Sequence, residues 1–342
     1  MAPTIGVLTN PNSGKNRRNP SRRRQLERAV GKRGIVRQTH DLAELATVLD
    51  ELIAADCRYW VCDGGDGTLH WLLTVGAERL RAAGKDTRWP LIVPANGGSI
   101  DFVAHKVGIR GQAVDVLRRL VHRIEHGETI ERTQLDTMRV RGTMHDGAPF
   151  DHIGFASALG GIAQRFFGKL YEKKPVDGWS IARVIGNSVA GAMVGTAPSQ
   201  LAQLLPQSMR SYHEVWAPTL AHVEVDGRRL PWGSYAALQV GSIDINLGGV
   251  VRTFRRAEAA GVLHAQAIST TPLGIVANLP NVVLGTPIWG SQVFDGPVET
   301  IGVRALAGES LDPVIDGELF HGLAELQITR GPTLEVPRVS AA

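Results

Sequence analysis

Residues 58–80 read RYWVCDGGDGTLHWLLTVGAERL. The run YWVC has the length and apolarity of a buried strand. A glycine-rich turn follows at once: Asp63, Gly64, Gly65, Asp66, Gly67 and Thr68. Helix-forming apolar residues come next. Strand, turn and helix in that order make one βα unit of a parallel sheet, and open sheets of this kind bind ligands at the carboxyl ends of their strands. Glycines allow a backbone to approach a ligand closely. The start of a helix offers unsatisfied N–H groups and a positive dipole end to phosphate. Asp66 is the odd member, because phosphates repel a carboxylate unless a divalent cation lies between them or the carboxylate handles a proton. The combination points to a nucleotide carried with Mg2+.

Working outward, the same alternation fills the first 130 residues. Strands are expected at residues 4–9, 34–39, 58–62 and 91–93, with helices at about 20–32, 69–83 and 111–126. Asp41 is placed to cap a further helix, on which Leu42, Leu45, Leu49, Leu52 and Ile53 recur at helical spacing. This is a Rossmann-like α/β domain over 1–130. The texture then changes. Short alternating segments at 137–141, 221–225, 235–240, 262–268, 300–305 and 325–328 are separated by Gly, Pro and Asp-Gly turns. They predict an antiparallel β domain over 131–337. A stretch rich in small residues at 178–205 predicts a helical insert.

Composition narrows the class. A chain of 342 residues has room for two domains, and 43% hydrophobic with 20% charged residues excludes a disordered chain. No apolar run is long enough to span a bilayer as a helix, and the N-terminus does not read as a secretory signal. Cys57 and Cys62, the two cysteines, cannot form a disulfide framework or a four-ligand zinc site. A cytoplasmic location fits. The net charge of +4 is uneven, since residues 15–37 hold ten Lys and Arg against the single acid Glu27. Such a block can face nucleic acid, an anionic membrane or phosphates. No aromatic stacking motif accompanies the arginines, so nucleic acid is not an expected partner.

Two more loops belong to the same sheet edge. After the first strand come Asn10, Pro11, Asn12, Ser13, Gly14 and Lys15, whose amides and hydroxyl can hold phosphate oxygens while Lys15 or Arg17 balances charge. The spacing is not that of a Walker A loop. After the fourth strand comes PANGGSIDF, with Gly97 and Gly98. Far downstream, Asp316 and Glu318 flank Gly317, a pattern that alone reads as a hairpin turn.

Taken together, GGDGT, NPNSG, the loop with Gly97 and Gly98, and the late Asp-Gly-Glu resemble the diacylglycerol kinase catalytic domain family. That family includes bacterial lipid kinases, sphingosine kinases and ceramide kinases, and is distantly related to NAD kinases. The resemblance spans about residues 4–337. It implies a nucleotide-binding α/β domain followed by a β-sandwich that takes the lipid. It also implies ATP as phosphate donor, Mg2+, and transfer to the primary hydroxyl of diacylglycerol or of a ceramide or sphingoid base. Carried over, the nucleotide contacts fall on Asn10, Pro11, Asn12, Ser13, Gly14, Thr39, Gly64, Gly65, Asp66, Gly67, Thr68, Leu69, His70, Gly97 and Gly98. Glu318 would be the proton acceptor with Asp316 assisting, and Asp66 would place the catalytic Mg2+. The segment from Ser242 to Gly249 matches a glycine-rich piece of the β domain.

There are departures. Gly98 stands where the family has Thr and Ile100 where it has Asn. Ala260 stands where bacterial members have an Asp tied to a structural Mg2+, so that metal is not expected. The chain has no Asn-Asp or Asn-Glu dipeptide, which argues against an NAD kinase. A non-catalytic lipid- or nucleotide-binding protein is the other alternative. The partners expected are a membrane lipid and, through the basic block, the anionic inner face of the membrane. A homodimer is compatible with a sequence that does not fix oligomeric state. The apolar cleft for acyl chains is expected within residues 150–205, from Phe155, Leu159, Ile162, Phe166, Phe167, Leu170, Ile181, Val184 and Ile185.

Overall fold

A computed structural model describes residues 4–171, 178–194, 214–247 and 251–339. The chain divides into two compact units, Met1–Leu135 with Pro332–Ala342, and Asp136–Gly331.

In the first unit, β1 (Ile5–Thr9), β2 (Gly34–Gln38), β3 (Tyr59–Asp63) and β4 (Leu91–Pro94) form a parallel sheet in the order β2-β1-β3-β4. Every residue of β1, β3 and β4 is buried. Parallel strands covered on both faces have this unbroken apolar character. The helices are α1 (Arg22–Val30), α2 (Leu42–Ala54), α3 (Asp66–Ala82), α4 (Phe102–Lys106) and α5 (Ala113–Glu125). Asp41 caps α2 by accepting the Glu44 N–H at 2.8 Å, as its position in the sequence predicts. Helix α3 begins at Asp66, three residues before the expected start. Apolar periodicity marks where a helix packs, whereas Gly65, extended at the N-cap, marks where it starts. The short α4 carries too little pattern to be seen in the sequence.

Helix α1 is almost entirely polar, and only Arg22, Leu26 and Val30 are buried on it. Arg22 reaches the fully buried Asp63 at the end of β3, with Nη2 at 2.7 Å from Oδ1 and Nε at 3.1 Å from Oδ2. Thr9 and Asn16 donate to the same Oδ2 at 2.8 and 3.1 Å. Four donors thus satisfy a carboxylate that burial would otherwise penalise heavily.

The second unit is antiparallel. Its strands are β5 (Arg132–Met144), β6 (Pro149–Gly154), β7 (Ala156–Gly160), β8 (Thr219–Val225), β9 (Arg228–Arg229), β10 (Ser234–Tyr235), β11 (Ala237–Gly241), β12 (Ile245–Leu247) and β13 (Val251–Thr253). They continue as β14 (Leu263–Ile268), β15 (Val293–Val298), β16 (Thr300–Ala305), β17 (Val314–Ile315), β18 (Glu318–Leu319) and β19 (Leu323–Pro337). One sheet runs β10-β8-β16-β19-β5-β6 with β9 beside β8, and the other β15-β14-β11-β7-β17-β18. Met138, Val223, Ile301 and Ile328 of the first share one core with Leu159, Val240, Ala265 and Ile315 of the second, which makes a β-sandwich. Two helices, α6 (Gly161–Tyr171) and α7 (Gly178–Val194), follow β7. The rest of the expected insert, 195–205, lies outside the described residues, as do Gly248 and Gly249.

The sequence assigns 131–337 to the β domain, but residues 332–339 cluster with the first unit. Leu334, Val336 and Val339 are buried there, and Arg119 donates to the Val339 carbonyl at 2.8 Å. Alternation reveals a strand, not what it will pack against. Both cysteines are buried and neither forms a disulfide, and burial pushes the Cys57 thiol up to about 11 and Cys62 upward too. Among the described residues no helix is long and apolar enough to cross a membrane.

Removing Arg22 leaves Asp63 buried without its cation. We expect Arg22→Ala to lower the unfolding free energy by about 3–5 kcal/mol, read as a drop in the urea midpoint at unchanged slope.

Candidate nucleotide edge and the Asp-Gly-Glu hairpin

The loops after β1, β3 and β4 meet at one sheet edge. Asn10 donates through Nδ2 to Thr68 Oγ1 at 2.9 Å, and Ser13 Oγ lies 3.4 Å from the same hydroxyl. The Asn12 N–H closes back on Asn10 Oδ1 at 2.9 Å, and Asn16 Nδ2 donates to the Asn10 carbonyl at 3.0 Å. Pro11 and Gly14 lie in the same turn, and a Cβ on Gly14 would come 2.6 Å from Ser99 Oγ. Buried Thr39 is tied in from β2, its N–H on the Thr9 carbonyl at 3.1 Å. Over this cradle stands the start of α3, whose first-turn N–H groups have no acceptor within the helix. Asp66, Gly67 and Thr68 are the residues of that turn. Leu69 and His70 are buried on the inner face, so they seat the helix and do not line the edge.

The glycines do something the sequence does not announce. Gly97 donates its N–H to the Gly64 carbonyl at 3.0 Å, and a Cβ on Gly97 would sit 2.7 Å from Gly64 N. A Cβ on Gly65 would come 3.0 Å from Gly98 Cα, and one on Gly98 would overlap Gly65 Cα. The two glycine pairs therefore pack backbone on backbone. Gly98, where the related family has Thr, has no room for any side chain.

Three charged residues also have other work than that expected. Lys15 does not stand free for phosphate: its Nζ is 2.8 Å from Asp101 Oδ2 and donates to the Asn96 carbonyl at 3.1 Å. Asp101, buried and left-handed (φ 53°), accepts the Gly98 N–H at 2.8 Å on its other oxygen. Asp66, expected to place a metal, accepts the N–H groups of Phe102 and Val103, each at 3.2 Å, and so caps α4. Sequence reading missed Asn16 and Arg22, and took Asp63 for a turn residue. The only signal was a polar residue in an otherwise buried run.

The basic block is partly consumed. Arg22 pairs with Asp63, Lys15 with Asp101, Arg23 with Glu27, Arg33 with Glu125 and Arg37 with Glu51. Arg17, Arg18, Arg24, Arg28 and Lys32 are exposed, and among the described residues none has a carboxylate partner.

In the second unit, Asp316 and Gly317 both have positive φ, 48° and 90°, as a two-residue type I′ hairpin requires. Asp316 is buried, its carboxylate accepting the N–H groups of Phe155 at 3.0 Å and Ala156 at 2.9 Å. Its oxygens thus hold the β6–β7 junction, which is a positioning task. Glu318, half-buried, opens β18 directly after this turn. Of the expected cleft residues, Phe155, Leu159, Leu170 and Val184 are core. Ile162, Phe166, Phe167 and Ile185 are half-buried, and the Ile181 side chain lies outside the described residues.

Residues 4–131 match the family profile of the diacylglycerol kinase catalytic domain. Over those residues the first unit is similar to diacylglycerol kinase catalytic domains. The match ends well before Asp316 and Glu318. Among curated proteins, no sequence matches this chain. The crystal structure of a diacylglycerol kinase from Bacillus anthracis str. Sterne aligns at TM-score 0.57 with 13% identity, covering 99% of this chain and 98% of that one. A second structure from the same organism, named as a candidate diacylglycerol kinase, gives TM-score 0.59 at 12% identity, covering 95% and 93%. At such identities the likeness establishes the two-part fold.

Gly98→Thr would put a side chain where the Gly65 backbone stands. We expect that substitution to destabilise by about 1–3 kcal/mol through overpacking and to lower the thermal midpoint. A midpoint equal to wild type would show that the glycine interlock yields easily.

Proposed function

We propose that the protein is an ATP-dependent lipid kinase that phosphorylates the primary hydroxyl of a membrane lipid. The observation that carries this reading is the first turn of α3. Its N–H groups have no acceptor within the helix, and its Thr68 hydroxyl meets Asn10 and Ser13, in a stretch similar to diacylglycerol kinase catalytic domains. That edge suits the phosphates of a nucleotide. Diacylglycerol is the leading acceptor and ceramide or a sphingoid base the second, separated by whether the site pairs an amide donor.

The residues present fit the nucleotide better than a protein-held cation. Among the described residues no group of three or more His, Cys, Asp or Glu could hold a metal ion, and the Asp66 carboxylate is occupied at α4. Among the described residues there is no all-protein cage for Mg2+, which would instead be carried on the ATP phosphates, and the roles below belong to the chain itself. The lipid hydroxyl oxygen forms a bond to the γ-phosphorus as the bond to the β-γ bridging oxygen breaks. The hydroxyl proton passes to Glu318, the proposed base, and ADP leaves. Asp316 fixes the hairpin that presents Glu318, and the N–H groups of α3 neutralise phosphate charge. The half-buried Phe166 and Phe167 of α6 supply apolar surface for an acyl chain.

The deciding assay is transfer of radiolabelled phosphate from ATP to matched-chain diacylglycerol and ceramide, with the product identified by mass. We expect Glu318→Gln to lower turnover by about 100-fold or more with an unchanged circular dichroism spectrum. Phosphorylation of NAD with neither lipid turned over would replace this reading with the NAD kinase alternative.

Peripheral membrane contact is part of the same proposal. Five exposed cations remain in the basic block, each contributing about 1 kcal/mol near an anionic surface. We expect flotation with anionic vesicles at low salt and release at high salt. Equal binding to neutral vesicles would exclude the electrostatic account.

A further inference from the structure

The amino end of the parallel sheet, opposite the edge described above, carries a cavity of about 590 Å3 within the first unit. That is the size of a small-molecule site. Its floor is apolar and buried, formed by Leu52, Cys57, Trp60, Leu80 and Leu91. Half-buried Trp89 and Pro90 form a wall. The two indoles share a seat on α3, where a Cβ on Gly76 would lie 3.1 Å from Trp60 and 3.6 Å from Trp89. The indole N–H of Trp60 is buried and has no hydrogen-bond partner. A native structure leaves few such donors unmet.

The rim is cationic. Arg58, Lys85, Arg88 and Arg132 surround the opening. Lys85 pairs with Asp56 at 3.2 Å and Arg132 with Glu335 at 2.7 Å. Arg58 and Arg88 are exposed, and among the described residues neither has a carboxylate partner. Four cations against two acids, Asp56 and Glu335, leave a surplus of two positive charges at the mouth.

We infer that this cavity is a second ligand site of the first unit, one that takes an anionic amphiphile. The apolar tail would lie along Trp89 and Pro90, and a phosphate or carboxylate head would meet Arg58 and Arg88 at the rim. An anion alone would leave the indole wall unused, and a neutral alkyl chain would leave the two arginines unpaired. The inference stands apart from the proposed lipid kinase activity, because none of these residues belongs to the nucleotide edge or the Asp-Gly-Glu hairpin.

The test is calorimetric titration of the whole protein with octyl phosphate, inorganic phosphate and octanol. Intrinsic tryptophan fluorescence serves as the local readout. We expect saturable binding of octyl phosphate at least ten-fold tighter than of either fragment, and weakening at high salt. Trp89→Phe should remove most of the fluorescence change. The double variant Arg58→Ser/Arg88→Ser should weaken octyl phosphate about five-fold while circular dichroism and ATP turnover stay unchanged. Inorganic phosphate binding as tightly as octyl phosphate would reduce the site to an anion site and overturn the inference. So would octanol binding as tightly, absence of saturable binding, or full affinity in the double variant. The last result would place the ligand elsewhere, at an acceptor-lipid site for example.

Discussion

The carboxylate of Asp63 is the point on which the first unit turns. It ends β3 in a fully buried position, and it is tolerable there only because Arg22, Thr9 and Asn16 surround it with donors. Those partners come from β1, from the turn after it and from α1. One charge therefore ties the first loop, the basic helix and the strand of the glycine motif into one arrangement. A hydrophobic residue in place of Asp63 could fill the space, but it would not specify which polar helix docks or in what rotation. Directional donors around a buried ion do specify that.

From this anchor the loop architecture follows by contact rather than by ligand. Gly64 and Gly65 press on Gly97 and Gly98, Lys15 clamps Asp101, and Asp66 caps α4. The edge is thus held together by contacts within the protein itself. Preorganised donors cost no rearrangement when charge develops on a transferring phosphate, which is the condition under which such donors help most. The loss of Thr at position 98 belongs to this interlock, because the opposing Gly65 backbone occupies the space a side chain would need.

Much of this was readable from the residues alone. The parallel sheet was legible because buried strands are unbroken apolar runs and amphipathic helices repeat at their own period; Asp41 announced a cap by local chemistry alone. What stayed hidden depends on partners far away in the chain. Asp63 meets Arg22 across 41 residues, and Asp316 meets Phe155 across 161. Pattern reading saw Asp66 and Lys15 as charges awaiting a ligand, whereas the fold uses them on the α4 backbone and on Asp101. The motif residues were found, but the division of labour among them was not, because that division is set by packing.

The first unit is not continuous along the chain. Its final piece, with Leu334, Val336 and Val339 in the core, follows the whole second unit. About 200 residues, from 135 to 332, separate the two pieces. At synthesis rates of about 5–20 residues per second that interval is roughly 10–40 s. The first unit therefore emerges from the ribosome first and is completed last. In the meantime it exposes the apolar surface that the returning tail will cover, a natural stopping place for a chaperone.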